Sequence, residues 1–280
     1  MTSTKVRRQR VVVDDGPIIL PIREWDRATE LMKIFAMTGF IQNARPASLL
    51  LESEPGSGKT ELIDRFNKNP FLQYASDVTT RGLWPILKMA KAGACTHIVA
   101  SEFQKLLLRK ASVAEATLGT LCQAMEEGVG RVMVGNEVMD FGGARLGLLG
   151  AVTHDTAKKW RVNLRELGFW SRVAAFKWEM PIDQLRQVMD NISDGNMMDT
   201  SSVVLKVPDS PVVVDFPRAL SIQFKDFVLK SFREHTVLRV FARFRTLAMA
   251  CALLEDRDIV KARDVEHVVA FHPYWMAMER

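Results

Sequence analysis

The chain has 280 residues, 48% of them hydrophobic, so it can bury a sizeable core and reads as one large domain or a larger plus a smaller one. Cys95, Cys122 and Cys251 are widely spaced and form no C-x-x-C or Cys/His cluster, which argues against a disulfide framework and a zinc site. The formal net charge of +5 and pI of about 9.2 suit a chain that works near polyanions. No apolar run approaches the roughly 20 residues of a membrane-spanning helix. "MTSTKVRRQR" leads into "VVVDDGP" rather than an apolar signal core, so the expectation is a soluble, cytoplasmic protein without a membrane partner.

Residues 1–23 read as a basic tail and lead-in, in which Lys5, Arg7, Arg8 and Arg10 could touch nucleic-acid phosphates. From Glu24 to Thr38, Trp25, Leu31, Ile34 and Phe35 recur at near-helical spacing and predict an amphipathic helix. "ASLLLES" predicts a short buried strand, "SEPGSGKT" a loop and "TELIDRFNKN" a helix. "THIVASEF" reads as a second strand, and "SVAEATLGTLCQAMEEG" as a helix closed by Gly128. "RVMVGNEVMDFGGARLGLLGAVT" predicts a hairpin running into a buried strand, with Glu137 and Asp140 in the hairpin loop between Asn136 and Gly143. Strands alternating with helices predict an α/β layered core with a largely parallel sheet over residues 24–190. Residues 191–217 read as a linker, in which "DNISDGNMMDTSS" is polar and turn-rich and "VVLKVPDSPVVVDFP" gives two short β-like runs broken by Pro208, Pro211 and Pro217. Residues 218–280 carry helical patterns and predict a small all-helical domain.

The chemistry concentrates in Ser53 to Glu61. This stretch departs from the phosphate-binding pattern G-x-x-x-x-G-K-[ST] only in having Ser53 at the first glycine. Such a loop points backbone N–H groups at an anion, while a lysine supplies a mobile charge and a hydroxyl holds Mg²⁺. Gly56 and Gly58 keep side chains out of the cradle, Lys59 serves the phosphates and Thr60 the metal; Glu54, Pro55, Ser57 and Glu61 complete the segment. If Ser53 had to adopt a positive φ, the cost would be roughly 1–2 kcal/mol, which a folded domain absorbs.

At "EPGSGKT" the sequence resembles the AAA+ P-loop ATPases, and the resemblance extends over most of the chain. In layout it is most similar to the branch with the minichromosome-maintenance helicases, and it also looks like ATPases of phages and mobile elements. The resemblance implies a three-layer P-loop NTPase core with a helical lid, ATP and Mg²⁺ as cofactors, and a homo-oligomeric ring, a hexamer among the options. It places Thr153 where the family has a sensor of the γ-phosphate. "GFWSRVAAFKWE" resembles the arginine-finger segment, making Arg172 the finger candidate, and the C-terminal helices resemble a lid with a second sensor arginine at Arg239, or at Arg243 one turn later. After the second strand the family has Asp-Glu, whereas this chain has Ser101 and Glu102. Glu102 then either orients water, leaving Mg²⁺ to Thr60 and waters, or takes over the metal position.

Two functions follow from this reading. One is an ATPase that acts on DNA or a DNA-associated complex, helicase-like or loader-like; the other is a nucleotide-gated assembly module on DNA or a protein partner, with little hydrolysis. The carboxylates of the hairpin would repel phosphate, which counts against gripping DNA there. Arg239, Arg243 and Arg245 also read as a basic stripe on one helix, and Lys158, Lys159, Arg161 and Arg165 as a second basic cluster. Trp160, Trp170, Trp178 and Trp275 read as packing anchors, and the scattered histidines form no metal pattern.

Overall fold

A computed structural model describes residues 23–134, 137–179, 181–193, 201–232 and 237–276. The basic N-terminal residues from Lys5 to Arg10 and the hairpin tip at Asn136 lie outside them, as does the side chain of Trp275. In chain order the elements are α1 (Arg23–Met37), β1 (Ser48–Ser53), α2 (Lys59–Asp64), β2 (Leu72–Tyr74), α3 (Leu83–Lys91), β3 (His97–Ala100), α4 (Gln104–Leu107), α5 (Ala111–Met125), β4 (Val129–Val134), β5 (Glu137–Ala144), β6 (Gly147–Thr153), α6 (His154–Glu166), β7 (Val173–Lys177), α7 (Ile182–Ser193), α8 (Arg218–Ser231), α9 (Val237–Leu254), α10 (Ala262–Ala270) and α11 (His272–Met276).

Five strands form one sheet in the order β2-β3-β6-β1-β7, and every pairing in it is parallel. Alternation along β1 splits its side chains between two apolar layers, with Leu49 and Leu51 on one face and Leu50 on the other. On the first face Leu49 and Leu51 join α1, α2 and the C-terminal helices through Leu31, Phe35, Ile63, Phe224, Phe244 and Val268. On the second face Leu50 meets α3 to α6 and the β4/β5 hairpin through Leu87, Leu107, Leu121, Phe141 and Leu164. Helices on both faces explain why β1, β3 and β6 read as near-continuous apolar runs rather than alternating ones.

The residues expected to form a separate helical unit share that first apolar cluster with α1 and the sheet. Tyr274 of α11 stacks 4.6 Å from Phe176 of β7. The segment 201–217 is an extended strap along the core. Asn69 brackets it, donating from Nδ2 to the Val203 carbonyl and accepting from the Leu205 N–H, and Asn43 does the same at Val214, which is fully buried. These amides satisfy backbone groups that a strand pairing would otherwise take, in a stretch where prolines preclude a continuous ladder. Among the described residues, no helix is long and apolar enough to cross a membrane.

The hairpin corrects one detail of the sequence reading. Glu137 and Asp140 lie on strand β5 rather than in the loop, and cations accompany both: Arg81 lies 3.1 Å from Glu137, and Arg131 donates to Asp140 at 3.1 Å. Glu137 to Asp140 pair in unbroken register with Val134 to Arg131, but this end of β5 is mostly exposed, so no buried apolar alternation marks it in the sequence.

Candidate functional site

The loop from Ser53 to Thr60 leaves the carboxyl end of the central strand β1, between β6 and β7. In open parallel sheets, ligands gather at the carboxyl ends of strands where the strand order reverses. Gly56 and Gly58 both have positive φ, +77° and +76°. A Cβ at Gly58 would lie 2.3 Å from Cζ2 of Trp25, so this position excludes a side chain on steric as well as torsional grounds. Among the described residues no protein acceptor takes the amide hydrogens of Gly56, Ser57 or Gly58. Successive free amides around left-handed glycines form a concave anion cradle.

Ser53 brings no strain. Asp256 is the one non-glycine with positive φ among the described residues, and Ser53 is simply the last residue of β1. Its buried hydroxyl bonds that of Ser57 and faces the Lys59 ammonium at 3.1 Å. The ammonium also donates to the carbonyls of Ser53 and Glu54 at 2.9 and 2.7 Å, and to Ser57 Oγ at 3.2 Å. All these acceptors are neutral. Burial pushes the Lys59 pKa down, opposed by the charges of Glu54 and Glu61. The Thr60 side chain is exposed at the start of α2.

Thr153 is level with Ser53 in the β1/β6 register. Its hydroxyl caps α6, accepting from the Thr156 N–H at 3.4 Å and donating to Thr156 Oγ1 at 3.0 Å. Ser101 and Glu102 follow β3, the next strand outward from β6, and Glu102 is held by Lys105 one turn on at 2.9 Å. Thr153 and Ser101 therefore border the same sheet edge as the loop.

Arg172 and Arg239 do not. Arg172 precedes Val173, which is level with Ser48, the first residue of β1. The length of β1, about 17 Å at 3.3 Å per residue, separates that edge from the loop. Arg239 lies beside Arg172, and both contact Glu126. Arg243 donates to the Ser171 carbonyl at 2.7 Å, and its pKa is pushed down to about 10 by burial and by Arg239, against the pull of Glu126. Arg245 instead lies 5.0 Å over the Phe216 ring, so the three arginines of α9 do not make one solvated stripe. Lys158, Lys159, Arg161 and Arg165 are exposed on α6.

Two contributors to the loop carry no signal in the sequence. Trp25 reads as one more apolar residue of α1, yet its indole N–H donates to the Ser57 carbonyl at 3.1 Å and fixes the loop from beneath. His154 donates from Nδ1 to Glu52 Oε1 at 2.7 Å, while its Nε2 has no hydrogen-bond partner among the described residues and lies 4.0 Å from Glu54 Oε1. Glu52 and His154 are 102 residues apart, and only the β1/β6 pairing brings them together.

The cysteines are free and buried; burial raises all three thiols, Cys95 and Cys122 to about 11. Among the described residues no cluster of three or more His, Cys, Asp or Glu could hold a metal ion. The two residues expected to serve Mg²⁺, Thr60 and Glu102, belong to no such cluster, and this ion needs only one or two protein ligands because it retains much of its hydration. Comparison of the chain with protein-family models gives no match, and comparison with curated proteins gives none either.

Proposed function

We propose that the protein is an AAA+-type P-loop ATPase that binds ATP with Mg²⁺, hydrolyses it as a homo-oligomer, and acts on DNA or a DNA-associated complex. The observation that carries this reading is the Ser53–Thr60 cradle: two left-handed glycines, unused amides and a carboxylate-free lysine at the carboxyl end of the central strand. The neighbouring strand ends, bearing Thr153 on β6 and Ser101 and Glu102 after β3, agree with it in position.

In this reading Lys59 exchanges its loop carbonyls for phosphate oxygens, which restores full ionic pairing to a partly buried ammonium. Bound Mg²⁺ would supply charge neutralisation on the phosphates beside Thr60. Glu102 orients water once it leaves Lys105, and Thr153 reaches a terminal phosphate by trading its contact with Thr156. Arg172 and Arg239 stand at the far edge, so any phosphate they neutralise belongs to another copy. The net positive charge of the chain and the exposed cations of α6 are the basis for nucleic acid as partner.

A second reading is a nucleotide-gated assembly module with little turnover. It is favoured by Ser101 in place of an acid and by the 2.9 Å ion pair that engages Glu102. Mg²⁺-dependent ATP hydrolysis, measured with and without single- and double-stranded DNA and beside Lys59→Ala, separates the two. Turnover that Lys59→Ala removes supports the ATPase; ATP binding that needs Lys59 without turnover supports the module; no binding at all defeats both.

A further inference from the structure

Arg172 and Arg239 share a single carboxylate. Glu126, at the end of α5, accepts from Arg239 Nε at 2.8 Å and Nη2 at 3.1 Å, one bond to each oxygen. Arg172 Nη2 lies 2.7 Å from the same carboxylate and Arg45 Nη1 3.8 Å. Glu127 adds a longer contact to Arg172 at 3.7 Å. Burial alone would raise the Glu126 pKa, but the hydrogen bonds of Arg239 and the charges of Arg172, Arg239 and Arg45 outweigh it and hold the carboxyl below its ordinary range.

The arginines are held independently of Glu126 as well. Arg172 Nη1 donates to the Gly168 carbonyl at 2.9 Å, and a Cβ at Gly168 would lie 2.6 Å from that nitrogen. Arg239 Nη1 donates to Ser171 Oγ at 3.0 Å. The result is a preorganised set of guanidiniums, those of Arg45, Arg172, Arg239 and Arg243, around the carboxylates of Glu126 and Glu127. The set keeps an excess of positive charge, and the buried Nε of Arg172 has no acceptor among the described residues. A fork of guanidiniums that fits a carboxylate fits a phosphate equally well, and a phosphate brings more charge.

We propose that Glu126 is an internal stand-in for a phosphate: it occupies Arg172 and Arg239 in the single chain and yields them to the nucleotide of a second copy on assembly. The inference rests on the ATPase reading above. The occupant is a second copy because the length of β1 separates these arginines from the chain's own loop. Loop edge against arginine edge is a head-to-tail contact, the kind that closes into rings. Glu126 then sets the protein concentration at which turnover begins, by making the dilute chain satisfy its own arginines.

The test is Glu126→Gln, which keeps size and removes the charge, followed by ATP turnover per subunit across protein concentration and by sedimentation with ATP. The expected result is a half-maximal concentration lowered about tenfold, as for loss of one competing charge-assisted contact of about 1.4 kcal/mol. Glu126→Asp should restore most of the wild-type concentration dependence, and the gain should vanish when Arg172→Ala is added. A Glu126→Gln protein that folds and matches or falls below wild type at every concentration, while Lys59→Ala still abolishes turnover, overturns the stand-in and leaves the ATPase reading intact. A gain that persists without Arg172 also overturns it. Failure of the wild type to bind ATP defeats the ATPase reading itself, and the stand-in with it.

Discussion

The two edges of the parallel sheet are opposites in electrostatic economy. At the carboxyl edge a single ammonium, Lys59, is surrounded by neutral carbonyls and hydroxyls, with unused backbone amides beside it. At the amino edge several guanidiniums crowd onto Glu126 and Glu127. The first edge presents a cation hydrogen-bonded only to neutral acceptors among the described residues, and the second already contains carboxylates. In the proposed reading the open cationic site binds the nucleotide, and the one closed by an internal carboxylate has to be opened first.

The sharpest way to break that contrast is to remove the ammonium. Lys59→Ala should lower ATP turnover about 100-fold or more, the scale for losing one preorganised charged donor, while leaving the thermal midpoint nearly unchanged. If turnover survives, the carboxyl edge is not the nucleotide site. The amino edge also carries a determinant of stability. His97 is fully buried there, with Nε2 3.1 Å from the Ala47 carbonyl, and burial lowers its pKa to about 4. The unfolded chain, with an imidazole near 6.5, binds the extra proton first, so stability should fall by about 3 kcal/mol between pH 6.5 and 4 and change no further through this group below that. Denaturant titrations at several pH values, compared with a His97→Gln protein, measure the loss; a profile identical in both would remove His97 as its source.

Gly147→Ala drives a methyl group into that imidazole, with Cβ 2.1 Å from His97 Cδ2 and 2.7 Å from the Ala47 carbonyl oxygen. It should destabilise by about 1–3 kcal/mol without changing the nucleotide affinity of whatever protein remains folded. Gly58→Ala should do the reverse. Its left-handed backbone and the Trp25 ring cost roughly 1–2 kcal/mol, and most of the effect should show as lost ATP binding. The smallest effect is expected far from both edges, where His267 of α10 lies 3.0 Å from Glu30 of α1. The hydrogen bond raises His267 and lowers Glu30, so the pair contributes between their two titrations: it is lost as pH rises through the histidine and as pH falls through the carboxylate. Both groups are substantially exposed, so His267→Gln should cost under about 1 kcal/mol at pH 6 by calorimetry.

Much of this is legible in the chain because local physics carries it. The strand, glycine loop and helix around Lys59 are announced by an apolar run, two glycines and a resumed helical period. The helices α1, α5, α8, α9 and α10 follow the same periodicity. The short strands β2 and β7 and the amphipathic helix α7 were not anticipated. β2 has only three residues, too few to show a period, and "VAAFK" falls inside the segment that resembles an arginine finger, which gives it no strand signal of its own. The strap of 201–217 is legible as two short β-like runs broken by prolines, but not as part of the core, because its placement depends on Asn43 and Asn69, side chains more than a hundred residues away.

Residue type and spacing by themselves determined the chemistry of the loop, since a lysine between left-handed glycines and a threonine is a property of eight neighbouring residues. The tertiary structure decided which residues share an edge. Parallel pairing of β1 with β6 and β7 brings Thr153 and His154 to the loop and carries Arg172 to the opposite end. The packing of α9 against α1 then delivers Arg239 to Glu126. Contacts of this kind depend on strand order and direction, which short-range patterns do not encode.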